Sequence, residues 1–226
     1  MMTDMRTLLS LLLIICIGLT AHAQQRFDNQ VRDDMFAGMD GDTEAFDRAM
    51  KLIADTLATQ PDHPQALVWR GDGELFQAGQ AFRRGAFEEG RTLTRRGLAD
   101  MERAVALAPK EIAVRVPRAT GLQPFARAMR PYDRAESDRL MKIAMDDFEF
   151  VVAQSTSYWN TLGEHNRGEL LGALADAWLT LGDTGKANVY LDRMIAELPN
   201  TPYAKAATQR RADPSARAPL TCLSCH

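Results

Sequence analysis

Residues 169–199 read ELLGALADAWLTLGDTGKANVYLDRMIAELP, and this stretch limits the fold more than any other. Leu171, Leu174, Ala175 and Trp178 recur at helical spacing and form one apolar stripe. Gly182-Asp183 interrupts it, a second stripe follows in Ala187, Tyr190, Leu191, Met194 and Leu198, and Pro199 ends that one. Two amphipathic helices joined by so short a turn must lie antiparallel and bury their stripes against each other. One hairpin cannot cover both faces, so it needs further helices beside it.

The rest of the chain supplies them. Residues 44–61 carry a stripe of Ala45, Ala49, Leu52, Ile53 and Leu57, preceded by a short helix around residues 31–39. Residues 64–83 present Trp69, Gly73 and Phe76, and their partner helix is expected over residues 91–108, after a loop over 85–90. Pro117, Pro124 and Pro131 make residues 111–131 read as broken helix or loop. Residues 133–153 are again helical, with Leu140, Ile143, Ala144, Phe148 and Val151 on one face, and residues 201–211 suit a closing helix with a polar outer face.

The segment 169–199 resembles one tetratricopeptide repeat (TPR). Leu171, Leu174, Ala175, Trp178, Ala187, Leu191 and Pro199 fall where that family's large-small pattern places them. Residues 44–61 and 64–108 resemble more divergent repeats. The resemblance implies an all-α solenoid of helical hairpins over residues 24–212, with a concave surface that docks a protein partner.

Both ends of the chain stand apart from this body. Arg6, an apolar run over residues 8–19 and the small-x-small site Ala21-His22-Ala23 read as a cleaved signal peptide over residues 1–23. The run is too short to span a bilayer. The mature protein is expected to begin near Gln24, in the periplasm, with no membrane span. Residues 213–221 read as a flexible Pro/Ala/Ser linker, and residues 222–226 form the tail beyond it.

Of three cysteines, Cys16 leaves with the signal, so Cys222 and Cys225 are those of the mature chain. Two neighbouring thiols cannot staple a fold. They stand in Cys222-Leu223-Ser224-Cys225-His226, a C-x-x-C-H sequence that resembles the c-type haem attachment motif. The chemistry needs that spacing. Two thiols three residues apart reach the two vinyl groups of one haem, and the next residue places an imidazole under the ring as proximal iron ligand. The resemblance implies one covalent haem c on Cys222 and Cys225, with His226 on the iron. It also implies attachment outside the cytoplasm, as the export signal requires.

The resemblance to c-type cytochromes is limited to these five residues. A haem on the tail therefore expects cover from the helical body, a second copy or a partner. His63 and His165, each in a turn, are weak candidates for the distal ligand, with Met129, Met141, Met145 and Met194 behind them. Two other uses of the cysteine pair remain: a redox disulfide, or a zinc site completed by His63 or His165.

Nothing points to enzyme chemistry. Neither a phosphate loop nor a nucleophile elbow is present. Asp146, Asp147 and Glu149 read as a solvated helix face, Arg115 and Arg118 as surface arginines suited to an anion, and Trp159 as a partly exposed turn aromatic. A net charge of −3 with 25% charged residues excludes a basic nucleic-acid surface. The sequence thus leads to a periplasmic haem-bearing electron-transfer protein that docks a redox partner. The alternative is a haem-free interaction scaffold, serving envelope complexes or cytochrome c assembly.

Overall fold

The computed structural model describes residues 26–221, so the expected signal segment and the C-x-x-C-H motif lie outside the described residues. Their regular structure is all helical: α1 (Phe27–Met39), α2 (Thr43–Thr59), α3 (Pro64–Arg83), α4 (Phe87–Leu107), α5 (Ile112–Met129), α6 (Arg134–Gln154), a 3-10 turn (Thr156–Thr161), α7 (Glu164–Leu181), α8 (Thr184–Glu197) and α9 (Pro202–Ala212). Each helix packs on the next in chain order, most extensively α1 on α2, α3 on α4, α5 on α6 and α7 on α8. Contacts α1–α3 and α3–α5 then join one pair to the next.

Local chemistry sets the boundaries. Side chains of Asp42, His63, Asp133, Asp183 and Thr201 accept the backbone N–H three residues on, capping α2, α3, α6, α8 and α9. Pro64 and Pro202 sit in the first turn, where a missing N–H costs nothing. Gly182, at φ 86°, closes α7 in the left-handed conformation, and the Asp183 cap follows at once. This is the turn that Gly182-Asp183 predicts.

Three expectations are corrected. Residues 112–129 are one helix despite Pro117 and Pro124. Each internal proline costs about 3 kcal/mol, but α5 is packed on both α3 and α6, and that burial outweighs the penalty. The loop over 85–90 shrinks to residues 84–86, because Phe87 already starts α4 and Gly85 takes a positive φ of 80°. Trp159 is buried, its indole N–H donating to Glu197 Oε2 at 2.7 Å and Arg193 lying over its ring.

α3 and α4 approach closely because glycines face each other. A methyl on Gly71 would lie 2.7 Å from the Gly97 carbonyl oxygen, and one on Gly97 would lie 2.8 Å from that of Gly71. Arg70 pairs with Asp100 at 2.5 Å along the same seam. Arg96 covers Glu74, a buried acid whose carboxyl is raised above its usual range chiefly by burial.

Candidate functional site

The last described residues do not run free. Beyond α9, Ala216 N–H donates to the Asp213 carbonyl at 3.0 Å, and Arg210 donates to the Ala216 carbonyl. Leu220 is 4% exposed and sits in a cluster with Trp159, Leu171, Leu191 and Met194. Residues 213–221, expected as a linker, therefore form a strap anchored on the body at Leu220, with Asp213, Pro214, Ser215, Arg217 and Pro219 exposed. Gly172 makes this fit: a methyl there would lie 1.9 Å from the Leu220 carbonyl oxygen. A helix-interior glycine costs about 1 kcal/mol relative to alanine, and burying Leu220 contributes about 1.5–3 kcal/mol, so the exchange favours the docked strap.

The strap ends at Thr221 on the wall of a cavity of about 660 Å³. α1, α3, α5 and α7 all contribute to that wall, together with α6 and the 3-10 turn. Its lining is mainly apolar and aromatic, from Phe36, Trp69, Phe76, Phe125, Phe148 and Leu170. Pro117 and Pro124 also line it, as do Ala113 and Thr120, whose carbonyls lose their helical donors to those prolines. The Trp69 indole N–H is buried and finds no acceptor among the described residues.

Both signs of charge line this cavity, with Asp28, Asp40, Asp72 and Glu169 alongside four arginines. Asp72 lies on its wall, 4% exposed, and burial pushes its carboxyl up to about 7. Arg26, Arg32, Arg83 and Arg127 border it. Arg26 forms a bidentate pair with Asp28, and Arg127 donates to Asp176 on α7. Asp176 also accepts from Gln123 at 3.3 Å and faces Arg210 at 3.8 Å, so one carboxylate ties α5, α7 and α9 together.

Arg115 and Arg118 are not an anion site, and Asp147 is not solvated. Asp147 is fully buried between them, with Arg115 at 2.6 Å and Arg118 bidentate at 2.5 and 2.8 Å. Arg115 also donates to the Pro109 carbonyl, so this cluster locks α5 and the α4–α5 turn onto α6.

The two candidate distal histidines lie elsewhere. His63 caps α3, its Nδ1 accepting from Ala66 N–H at 3.1 Å, and its ring packs on Phe27. His165 sits in the first turn of α7, its Nδ1 2.7 Å from the Tyr203 hydroxyl. Neither lines the cavity, and Met39, which sequence reasoning passed over, does. Met141 and Met194 are buried in the two cores, and Met145 and Met129 pack in or against the first. Cys222, Cys225 and His226 lie outside the described residues. Among the described residues no three of His, Cys, Asp and Glu converge on a metal position, and no helix is long and apolar enough to cross a membrane.

The strap and the cavity left faint traces in the sequence. Gly172 in the middle of a strong helix marks a close backbone approach, and Leu220 is the one large apolar residue of the segment 213–221. Neither says what meets what. No family model, curated protein or solved structure matches this chain.

Proposed function

We propose that this chain is an exported c-type haem protein on a TPR-like helical body, which docks a protein partner and passes single electrons. The observation that carries the reading is the sequence Cys222-Leu223-Ser224-Cys225-His226, behind an export signal, with both cysteines of the mature chain inside it. The pairing of helices in chain order, with four odd-numbered helices lining one cavity, supports a repeat body with a concave face.

A haem c, when bound, supplies a one-electron iron couple. The residues of this chain have distinct tasks toward it. Cys222 and Cys225 would hold the macrocycle through thioether bonds, and the neutral imidazole of His226 would hold the iron. The docked strap fixes where this tail leaves the body: Leu220 is buried and Thr221 stands at the cavity wall. The apolar lining would exclude water from a group seated there, and the bordering arginines would balance carboxylates.

Intact mass tests the reading, on protein from the periplasm of a host that matures c-type cytochromes. Expected is a chain beginning near Gln24 that carries the mass of one haem, lost in the Cys222→Ala, Cys225→Ala variant. An unmodified mass, while the host's own cytochromes mature normally, overturns the haem reading in favour of a haem-free scaffold.

A further inference from the structure

We propose that the 660 Å³ cavity lined by α1, α3, α5 and α7 is the seat of the C-terminal tail, residues 222–226, and of the haem that the tail carries. This rests on the haem reading above and names what covers the group.

Four observations converge. The first is place. Thr221 is itself part of the cavity wall, so the tail that follows it in the chain starts at the cavity. The second is anchorage. Leu220 is buried and its carbonyl is pressed on Gly172, so the exit point of the tail is fixed against the body. The third is size and character. The volume falls in the range of cofactor clefts, about 300–1,000 Å³, and such clefts are mostly apolar with a few convergent polar groups. Here aromatic faces from four helices meet the buried Trp69 N–H, which has no acceptor among the described residues. The fourth is charge. Arg83 borders the cavity and forms no ion pair among the described residues, while Arg26, Arg32 and Arg127 border it already paired with Asp28, Asp33 and Asp176, and Asp40 and Glu169 stand on the same wall. A haem presents an apolar face and two carboxylates, and this lining suits both.

The body itself supplies the cover, through residues of α1, α3, α5 and α7. The tail is the occupant because it is tethered at the wall: a tethered group meets the cavity at an effective concentration in the millimolar range, far above that of a free ligand.

The test uses the full-length holoprotein and reads attachment and seating separately. Attachment is read by intact mass. Seating is read by circular dichroism in the Soret band, which a haem acquires in a fixed asymmetric surround and which a short haem peptide in water nearly lacks. The blocking variant is Gly79→Trp. Gly79 lines the cavity, and a Cβ there has only the tip of Arg83 near it, at 3.6 Å, so α3 admits a side chain at this position. Thr120→Trp fills it from α5 and serves as the second variant.

Expected is a Soret signal per haem several-fold above that of the haem peptide released by protease. It falls several-fold in Gly79→Trp, while the mass of one haem and the far-ultraviolet helix signal are kept. An attached haem whose Soret signal matches the free peptide overturns the seating and leaves the haem reading intact. So does a signal that neither tryptophan variant changes, or one that appears only at concentrations where a dimer forms, which assigns the cover to a second copy. A chain of unmodified mass overturns both.

Discussion

The molecule holds two hydrophobic clusters of different character. The larger, built on α1 to α6 and one face of α7 (Ala173, Leu174, Ala177) with Trp69, Ile53, Met101 and Leu140, surrounds charge: every buried acid among the described residues (Asp28, Asp72, Glu74 and Asp147) lies on α1, α3 or α6. The smaller joins α7, α8, α9 and the strap through Trp159, Leu171, Leu191, Met194 and Leu220, and it is closed by small residues. The first builds its seams with ion pairs beside a cavity; the second builds its seam by letting a backbone carbonyl rest on Gly172. Burying charge costs stability unless every charge is paired. A packed apolar core has no such cost, so the polar cluster is where the fold gives up stability in favour of a shaped site.

The largest expected effect is in the polar cluster. Asp147→Ala leaves Arg115 and Arg118 without their carboxylate and should cost about 3–5 kcal/mol, read as a lower urea midpoint. A loss below about 1 kcal/mol would mean that the triad is solvated and the contrast between the clusters false.

Asp72 sharpens the same point through pH. Its folded carboxyl is raised to about 7, above the unfolded value. Its protonated form is therefore the one the fold accepts. The stability is fully present below the unfolded carboxylate range and is lost as pH rises through about 7. That loss is up to about 1.4 kcal/mol per pH unit, and roughly 4 kcal/mol in all as an upper bound. Asp72→Asn should remove this slope. The stability gained by the variant over wild type should therefore be greater at pH 7.5 than at pH 4.5, and equal gains at both would contradict the burial argument.

Leu191→Ala probes the smaller cluster. It should cost roughly 2–3 kcal/mol, the lower part of the range for core truncations, and the cost should not depend on pH. The smallest global effect belongs to Gly172→Ala. The methyl cannot coexist with the docked Leu220 carbonyl, so the strap should lift. Lost burial of Leu220, about 1.5–3 kcal/mol, is partly offset by about 1 kcal/mol of helix propensity. The readout is local: trypsin should cut after Arg217 several-fold faster with the body intact. An unchanged rate would show that the strap is not held by this contact.

Much of the helical layout was legible in the sequence. The turn at Gly182-Asp183, the start of α3 at Pro64 and the stripe of α6 each follow from a signal within a few residues. The helix α5 was not legible, because a proline's local penalty is visible in the sequence while the burial that outweighs it comes from α3 and α6, distant in the chain. Trp159 and Asp147 failed for the same reason: a polar neighbourhood in the sequence says nothing of Glu197 or of two arginines about 30 residues away.

The sequence by itself determined the helical class and the spacing of the C-x-x-C-H residues, since each depends on a pattern within a few residues of one chain. Only the tertiary structure decided that four helices share one cavity, that Asp72 lies on its wall and that the segment 213–221 is a docked strap. These are meetings between residues far apart in the chain, such as Gly172 with Leu220 or Phe36 with Leu170. Such contacts are selected by the summed burial of whole helix faces, which no local pattern encodes.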